Sequence, residues 1–202
     1  MSETLHRFFF ACRPPPPLAM HIEQTFLPPR QGRGWVRPEH LHVTLAITDD
    51  YRIHPPGITD ALLGVGDSLA AKPVRLIFDQ LVGSGSRLLL KYSEPIPALQ
   101  QFQRRLGLAF AVTGLSLRAG WRFSPHMTLF HGAGQPFCVG IDAVSWTAGE
   151  FLLVHSLVGE TRHDLLCRWP LNAAPPSAAT PERRQLPVDG LVAASLQEGI
   201  RL

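Results

Sequence analysis

Cysteine is scarce in this 202-residue chain: Cys12, Cys138 and Cys167 lie far apart and form no CxxC pair. An odd, dispersed set excludes a disulfide framework and a cysteine-built zinc site. Cys12 and Cys167 stand among apolar, strand-like residues and read as small buried hydrophobes. Long apolar runs are missing too. Residues 8–12 and 151–154 fall far short of the roughly 20 residues that a membrane helix needs. No secretory leader is expected, because 8–12 runs straight into Arg13 and four prolines. The expectation is a cytoplasmic monomer with no membrane association. A strong excess of one charge is also absent. Nineteen Lys and Arg against 16 Asp and Glu give a net +3, and no basic run reaches the density of a nucleic-acid tail. Such a balance tolerates a phosphate-bearing ligand without demanding one. With 45% hydrophobic and 17% charged residues, wholesale disorder is excluded.

Proline and histidine are plentiful, at 19 and nine residues. The prolines punctuate the chain. Residues 6–12 (HRFFFAC) read as a strand ended by Arg13 and Pro14–Pro17, and Pro17 opens a helical segment over 18–26. Pro28, Pro29, Gly32 and Gly34 make a loop, and 41–47 (LHVTLAI) is a second strand. Helical spacing returns at 58–71 and, more strongly, at 96–110, where Leu99, Phe102, Leu106 and Phe110 share a stripe. Residues 74–82 and 87–92 form a hairpin through Gly83–Ser86. That glycine-serine turn lacks the lysine and following helix of a phosphate-cradling loop. Strands are expected at 121–131, 139–146, 150–158 and 164–169. This order indicates α+β architecture in one domain over 1–171. Residues 172–202 are Ala/Pro-rich and read as a tail.

Two segments repeat a pattern: Leu41-His42-Val43-Thr44-Leu45 and Pro125-His126-Met127-Thr128-Leu129. On a strand, residues two apart share a face at roughly 6.6 Å. Each segment therefore presents an imidazole and a hydroxyl together, with apolar neighbours packed behind. Each copy taken alone also fits a sheet-end histidine bonded to a backbone carbonyl, with threonine present for β-propensity. Two copies in one apolar frame favour a site. Imidazole titrates near neutrality, so one copy can accept a proton from water while the other donates to a departing oxygen. The hydroxyls can donate to non-bridging phosphate oxygens, where negative charge accumulates.

Residues 34–45 (GWVRPEHLHVTL) resemble the first signature of the two-histidine (2H) phosphoesterase superfamily, and 123–129 (FSPHMTL) resemble the second. The closer likeness is to the LigT-like branch, RNA 2′,3′-cyclic phosphodiesterases also called 2′-5′ RNA ligases. Residues 7–11 (RFFFA), 151–156 (FLLVHS) and 168–171 (RWPL) are similar to that branch's first strand and last hairpin. The resemblance implies a bilobal, pseudo-twofold α+β fold. Two antiparallel sheets would face a central cleft, helices outside, with one His-x-Thr per lobe. It implies hydrolysis of an RNA 2′,3′-cyclic phosphate end to a 2′-phosphomonoester, and a reverse 2′-5′ ligation of tRNA halves, with no metal or nucleotide cofactor. His42 would be the general acid and His126 the base that activates water. Thr44 and Thr128 would bind phosphate, as would His131, which stands where the branch commonly has arginine. An imidazole offers one donor in place of a guanidinium fork.

Arg7, Phe9 and His40 are further candidates for substrate binding. The His40-x-His42 spacing also permits a metal pair, though no third ligand is evident, so no metal site is assigned. Trp35 could line the cleft or cap the core. His6, His21, His54, His155 and His163 are expected in solvated or locally bonded roles. The same chemistry on a small cyclic phosphate or cyclic nucleotide is the rival enzyme reading, and a non-catalytic RNA-binding module is the rival from another class.

Overall fold

The aromatic run near the start of the chain is apolar at consecutive positions because its strand is buried on both faces. The computed structural model describes residues 4–26 and 34–172. There, β1 (Leu5–Cys12) points Phe8, Phe10 and Cys12 into the main core. It turns Phe9 and Ala11 the other way, into a smaller cluster with Leu152 and Val154. A strand covered on one face would alternate; this one cannot.

After β1 come helix α1 (Pro16–Phe26), a 3-10 turn (Pro38–His40) and β2 (Val43–Ile47). Helix α2 (Ile58–Asp67) precedes the hairpin of β3 (Val74–Ser84) and β4 (Arg87–Lys91). Helix α3 (Pro97–Val112) follows, then β5 (Met127–His131), β6 (Phe137–Ala148), β7 (Glu150–Val158) and β8 (Arg162–Pro170). The α3 stripe of Leu99, Phe102, Leu106 and Phe110 is buried, with Phe110 set edge-on to Phe10 at 5.8 Å. No helix among the described residues is long and apolar enough to cross a membrane. The loop expected at Pro28, Pro29 and Gly32 lies outside the described residues, as does the tail from 173 onward.

The strands hydrogen-bond as one antiparallel sheet, in the order β6-β3-β4-β5-β2-β1-β7-β8. By hydrogen bonding, therefore, this is a single ladder rather than two separate sheets. Its narrowest point is the seam between β2 and β5, where Val43 opposite Met127 is the one register pair. The rest of that β5 edge is taken by the segment before the 3-10 turn. Val36 N–H donates to the Leu129 carbonyl at 2.9 Å, and His131 N–H to the Gly34 carbonyl at 2.8 Å. Gly34 has φ +111°, and a Cβ there would lie 2.2 Å from the His131 carbonyl oxygen, so this approach requires glycine.

Strand β6 stands first in the order and β7 seventh, yet Gly149 alone joins them. In a flat sheet those positions would be roughly 29 Å apart, whereas two peptide links span about 7 Å. The sheet must therefore curl until its two halves approach at that end.

One expectation fails in detail. The strand read over 121–131 begins only at Met127, and the residues before it are irregular. The loop leading to β5 is tied instead to the end of β2. Arg118 N–H donates to the Ile47 carbonyl at 2.8 Å, and Ala119 N–H to the Asp49 carboxylate at 3.2 Å. Asp50 completes the tie, accepting a bidentate pair from Arg7 at 2.6 and 2.7 Å and a further bond from Arg118.

The Arg7 hydrogen bonds, the guanidinium charge and Arg118 hold the Asp50 carboxyl below the usual carboxylate range, against some desolvation. A depressed carboxylate stabilises the fold above its unfolded pKa, about 3.9. That contribution is lost as pH falls through the folded value. Asp50→Asn should cost on the order of 1–2 kcal/mol near neutrality. The gap between variant and parent should close below about pH 4, as measured by urea unfolding across pH.

Candidate active site

The seam pair decides which side chains meet. Val43 and Met127 are both fully buried, so their neighbours His42, Thr44, His126 and Thr128 take the opposite face and stay partly exposed. Because the pairing is antiparallel, His42 comes opposite Thr128, and Thr44 opposite His126. Cross-strand neighbours lie about 5 Å apart. The two His-x-Thr segments, 84 residues apart in sequence, are brought to one face of one seam.

Both imidazoles are fixed the same way. The Nδ1–H of His42 donates to the His40 carbonyl at 2.6 Å, and that of His126 to the Ser124 carbonyl at 2.6 Å. In the neutral ring this bond commits the proton to Nδ1 and leaves a lone pair on Nε2. The carbonyl bond of an ordinary sheet-end histidine is thus present, and it leaves Nε2 of each ring free for chemistry. Phe9 stacks on His42 at 4.7 Å and 22°, a buried ring that holds the imidazole plane.

Burial pushes the His42 imidazolium down to about 4, the His40 carbonyl opposing and Arg13, His126 and His40 adding to the fall. His126 is lowered as well, by burial first and then by Arg87 and Lys91, against the Ser124 carbonyl. Without ligand, both rings are neutral near pH 7. A phosphate anion between them would favour protonation of either ring.

The remaining candidates separate. His40 lies in the 3-10 turn, its ring 4.4 Å from that of His163. Arg7 is spent on Asp50, so its guanidinium fork is occupied. His131 is exposed at the end of β5, beyond a β-bulge at Leu129, and it pairs with Arg87 in the ladder. Trp35 packs on Phe130 at 4.5 Å. Among the described residues, no three His, Cys, Asp or Glu side chains converge on a metal position.

Two site neighbours escape sequence reasoning. His163 stands edge-on to His42 at 5.7 Å and to Phe9 at 5.4 Å, with its buried Nδ1 unpartnered among the described residues. Burial, His42, His40 and nearby arginines push it down to about 3. Arg13 is one residue beyond the Cys12–Val43 pair, so the β1–β2 register sets it opposite His42. No local signal marks His163. Arg13 is legible only once strand register is known. The other histidine group, His6, His54 and His155, lies on the main-core side, where His155 stacks on Phe8 at 4.6 Å. His6 Nδ1 and His155 Nε2 share a 2.9 Å hydrogen bond.

A family model described as the 2′-5′ RNA ligase superfamily matches residues 14–148. No curated protein matches the chain. Among solved structures, the fold is similar to apo LigT of E. coli (TM-score 0.63, 26% identity, covering 84% of this chain and 98% of that one). The phosphate complex of E. coli LigT is also similar (TM-score 0.60, 26% identity, 84% and 99% covered). TT0787 of Thermus thermophilus shares the fold at 21% identity (TM-score 0.64, 82% and 97% covered).

The buried histidines make stability depend on pH. His42 and His155 are pushed down to about 4 and His163 to about 3, whereas the unfolded rings keep the ordinary value of 6.5. Groups depressed on folding contribute fully above the unfolded value and lose that contribution as pH falls toward the folded one. Stability should be greatest above about pH 6.5. It should fall on acidification, by at most about 4 kcal/mol per pH unit from three rings. Unfolding near pH 5 should take up about three protons, measurable from calorimetry in buffers of different ionisation enthalpy. A profile flat from pH 7 to 5 would refute the burial argument.

Proposed function

The chain belongs to the 2′-5′ RNA ligase superfamily, and on that premise we propose that it opens the 2′,3′-cyclic phosphate of an RNA end to a 2′-phosphomonoester. The observation that carries this reading is the pair of Nδ1-locked imidazoles, one from each half of the sheet, with both Nε2 atoms free on the face shared with Thr44 and Thr128.

His126 Nε2 accepts a proton from water as the oxygen attacks phosphorus. The bond from phosphorus to the 3′ oxygen breaks, and His42, protonated in the substrate complex, gives its Nε2 proton to that oxygen. The Thr44 and Thr128 hydroxyls donate to the non-bridging oxygens as charge builds. Afterwards the two rings exchange protons with solvent and return to their starting states. Burial lowers His42 in the free protein, and the substrate anion restores its proton on binding, so the acid is charged chiefly when there is something to protonate. No step passes through a metal. E. coli LigT, which has a similar fold, forms a complex with phosphate, in keeping with this reading. With the 5′-hydroxyl of a second RNA end in place of water, the same groups would make a 2′-5′ bond: His126 takes the hydroxyl proton as its oxygen attacks phosphorus, the bond to the 3′ oxygen breaks, and His42 protonates that oxygen. A small cyclic nucleotide is the second reading, supported by the occupied fork of Arg7 and by the low net charge of +3.

With EDTA present, the protein should open a 2′,3′-cyclic-ended oligonucleotide at an unchanged rate and yield a 2′-phosphate. His42→Ala and His126→Ala should each lower kcat by roughly 10² to 10⁴, and Thr44→Ala or Thr128→Ala by roughly 10-fold to 10². Full activity in both histidine variants would refute the mechanism, and a 3′-phosphate product would refute the assignment of the departing oxygen.

A further inference from the structure

At one end of the sheet is a cavity of about 530 Å³, bordered by Leu41, next to His42 in sequence, by Met20 of α1 and by the turn between β6 and β7. Its lining includes Arg13 and Leu152 from the face that carries His42, and Trp146 from the end of β6. None of His42, Thr44, His126 and Thr128 borders it, so it is not the reacting position.

Two lining residues carry buried donors with no partner among the described residues. They are Arg13, at both Nε and Nη2, and Trp146, at Nε1. Trp146 is 8% exposed. In Arg13 the two orphaned nitrogens form one edge of the guanidinium. Arg7 uses the same Nε/Nη2 edge to grip both oxygens of Asp50. A buried guanidinium edge without an acceptor is costly, and a phosphate or carboxylate is the group that fits it bidentately. The cavity's acids do not meet that need. Glu150 is paired with Arg168 at 3.0 Å and Glu39 with Arg37 at 3.5 Å. The acceptor that suits this edge is an anion supplied from outside, and a cavity able to admit it lies alongside.

Register limits which anion. Arg13 is opposite His42, about 5 Å away at the backbone. Arg13 also lines the cavity, which the reacting histidines do not border. We infer that Arg13 binds the 5′-phosphate of the same nucleotide whose 2′,3′-cyclic phosphate reacts. In an RNA end this is the phosphodiester to the preceding nucleotide. The Arg13 fork lies closed off from water here, so binding requires its side chain to turn toward the cavity as the anion enters. This deepens the RNA reading above and rests on it: every RNA end carries such a phosphate, and a nucleoside 2′,3′-cyclic phosphate does not.

The test is equilibrium binding of two product-like probes, adenosine 2′-monophosphate and adenosine 2′,5′-bisphosphate, by calorimetry, which needs no turnover. The wild-type chain should bind the bisphosphate at least 10-fold tighter, a gap of about 1.4 kcal/mol. Arg13→Gln should bring the ratio of affinities close to one, and Arg13→Lys, which keeps the charge without the fork, should fall between. A wild-type ratio near one overturns the inference, whatever the variants do. So does a ratio that survives in Arg13→Gln. Because the readout is binding, a failure of hydrolysis would refute the proposed reaction while leaving the Arg13 question to be decided by the ratio alone.

Discussion

The site depends on one cross-strand contact, Val43 against Met127. Side chains on a strand alternate, so burying these two residues forces both His-x-Thr pairs onto the other face. A slip of one residue on either strand would drive a histidine and a threonine into the core and leave an apolar residue beside the substrate. One pair is a small seam for so strict a condition, and the surroundings enforce it. The 34–36 segment occupies the remainder of the β5 edge, with Gly34 in a position no other residue fits. The Asp50 ion cluster fastens the loop before β5 to the end of β2. The curl demanded by Gly149 then brings the outer strands of one half near those of the other.

A second physical theme is the use of burial to keep imidazoles neutral. Seven of the nine histidines are at the seam or in the group on the main-core face, and His42, His155 and His163 are pushed down to about 4 or below. On the main-core side, His155 is lowered by burial first and then by its imidazole neighbours His6 and His54, and its ring packs on Phe8 as an aromatic core residue would. At the seam the same desolvation has a chemical consequence, because the locked Nδ1 leaves Nε2 as the one atom whose protonation can change. Neutral resting rings also avoid like-charge repulsion between His42 and His126 before an anion arrives.

Much of this was legible in the sequence, for definite reasons. The paired His-x-Thr segments announce their face because Val43, Leu45, Met127 and Leu129 alternate with them, and strand period needs no tertiary knowledge. The helices at 58–67 and 97–112 follow from apolar spacing. Three things were not legible. Residues 121–126 carry strand-like aromatics, but the loop that leads into them is held by long-range bonds to Ile47 and Asp49, which no local pattern encodes. Arg7 looks free in sequence and is claimed by Asp50, a partner 43 positions away. His163 reads as a hairpin surface residue until β8 brings it over Phe9.

The fate of two arginines shows how register and burial act together. The resemblance implies a guanidinium just after the second signature, and the imidazole of His131 stands there instead. If phosphate recognition were a matter of sequence position, this chain would be poorly equipped for a charged RNA end. Recognition is a matter of register, however, and the end of β1 supplies a guanidinium directly across from His42, with its fork unspent. Arg7, earlier on the same strand, has an identical fork closed on Asp50 and serves the fold. The difference between them is whether a carboxylate closes on the fork: Asp50 does so on Arg7, whereas Glu150 and Glu39 near Arg13 are paired with Arg168 and Arg37. A net charge of only +3 is compatible with a phosphate-reading protein on this view. Affinity for an anion is set by whether a particular guanidinium lacks an internal partner, and the total of basic residues says little about that.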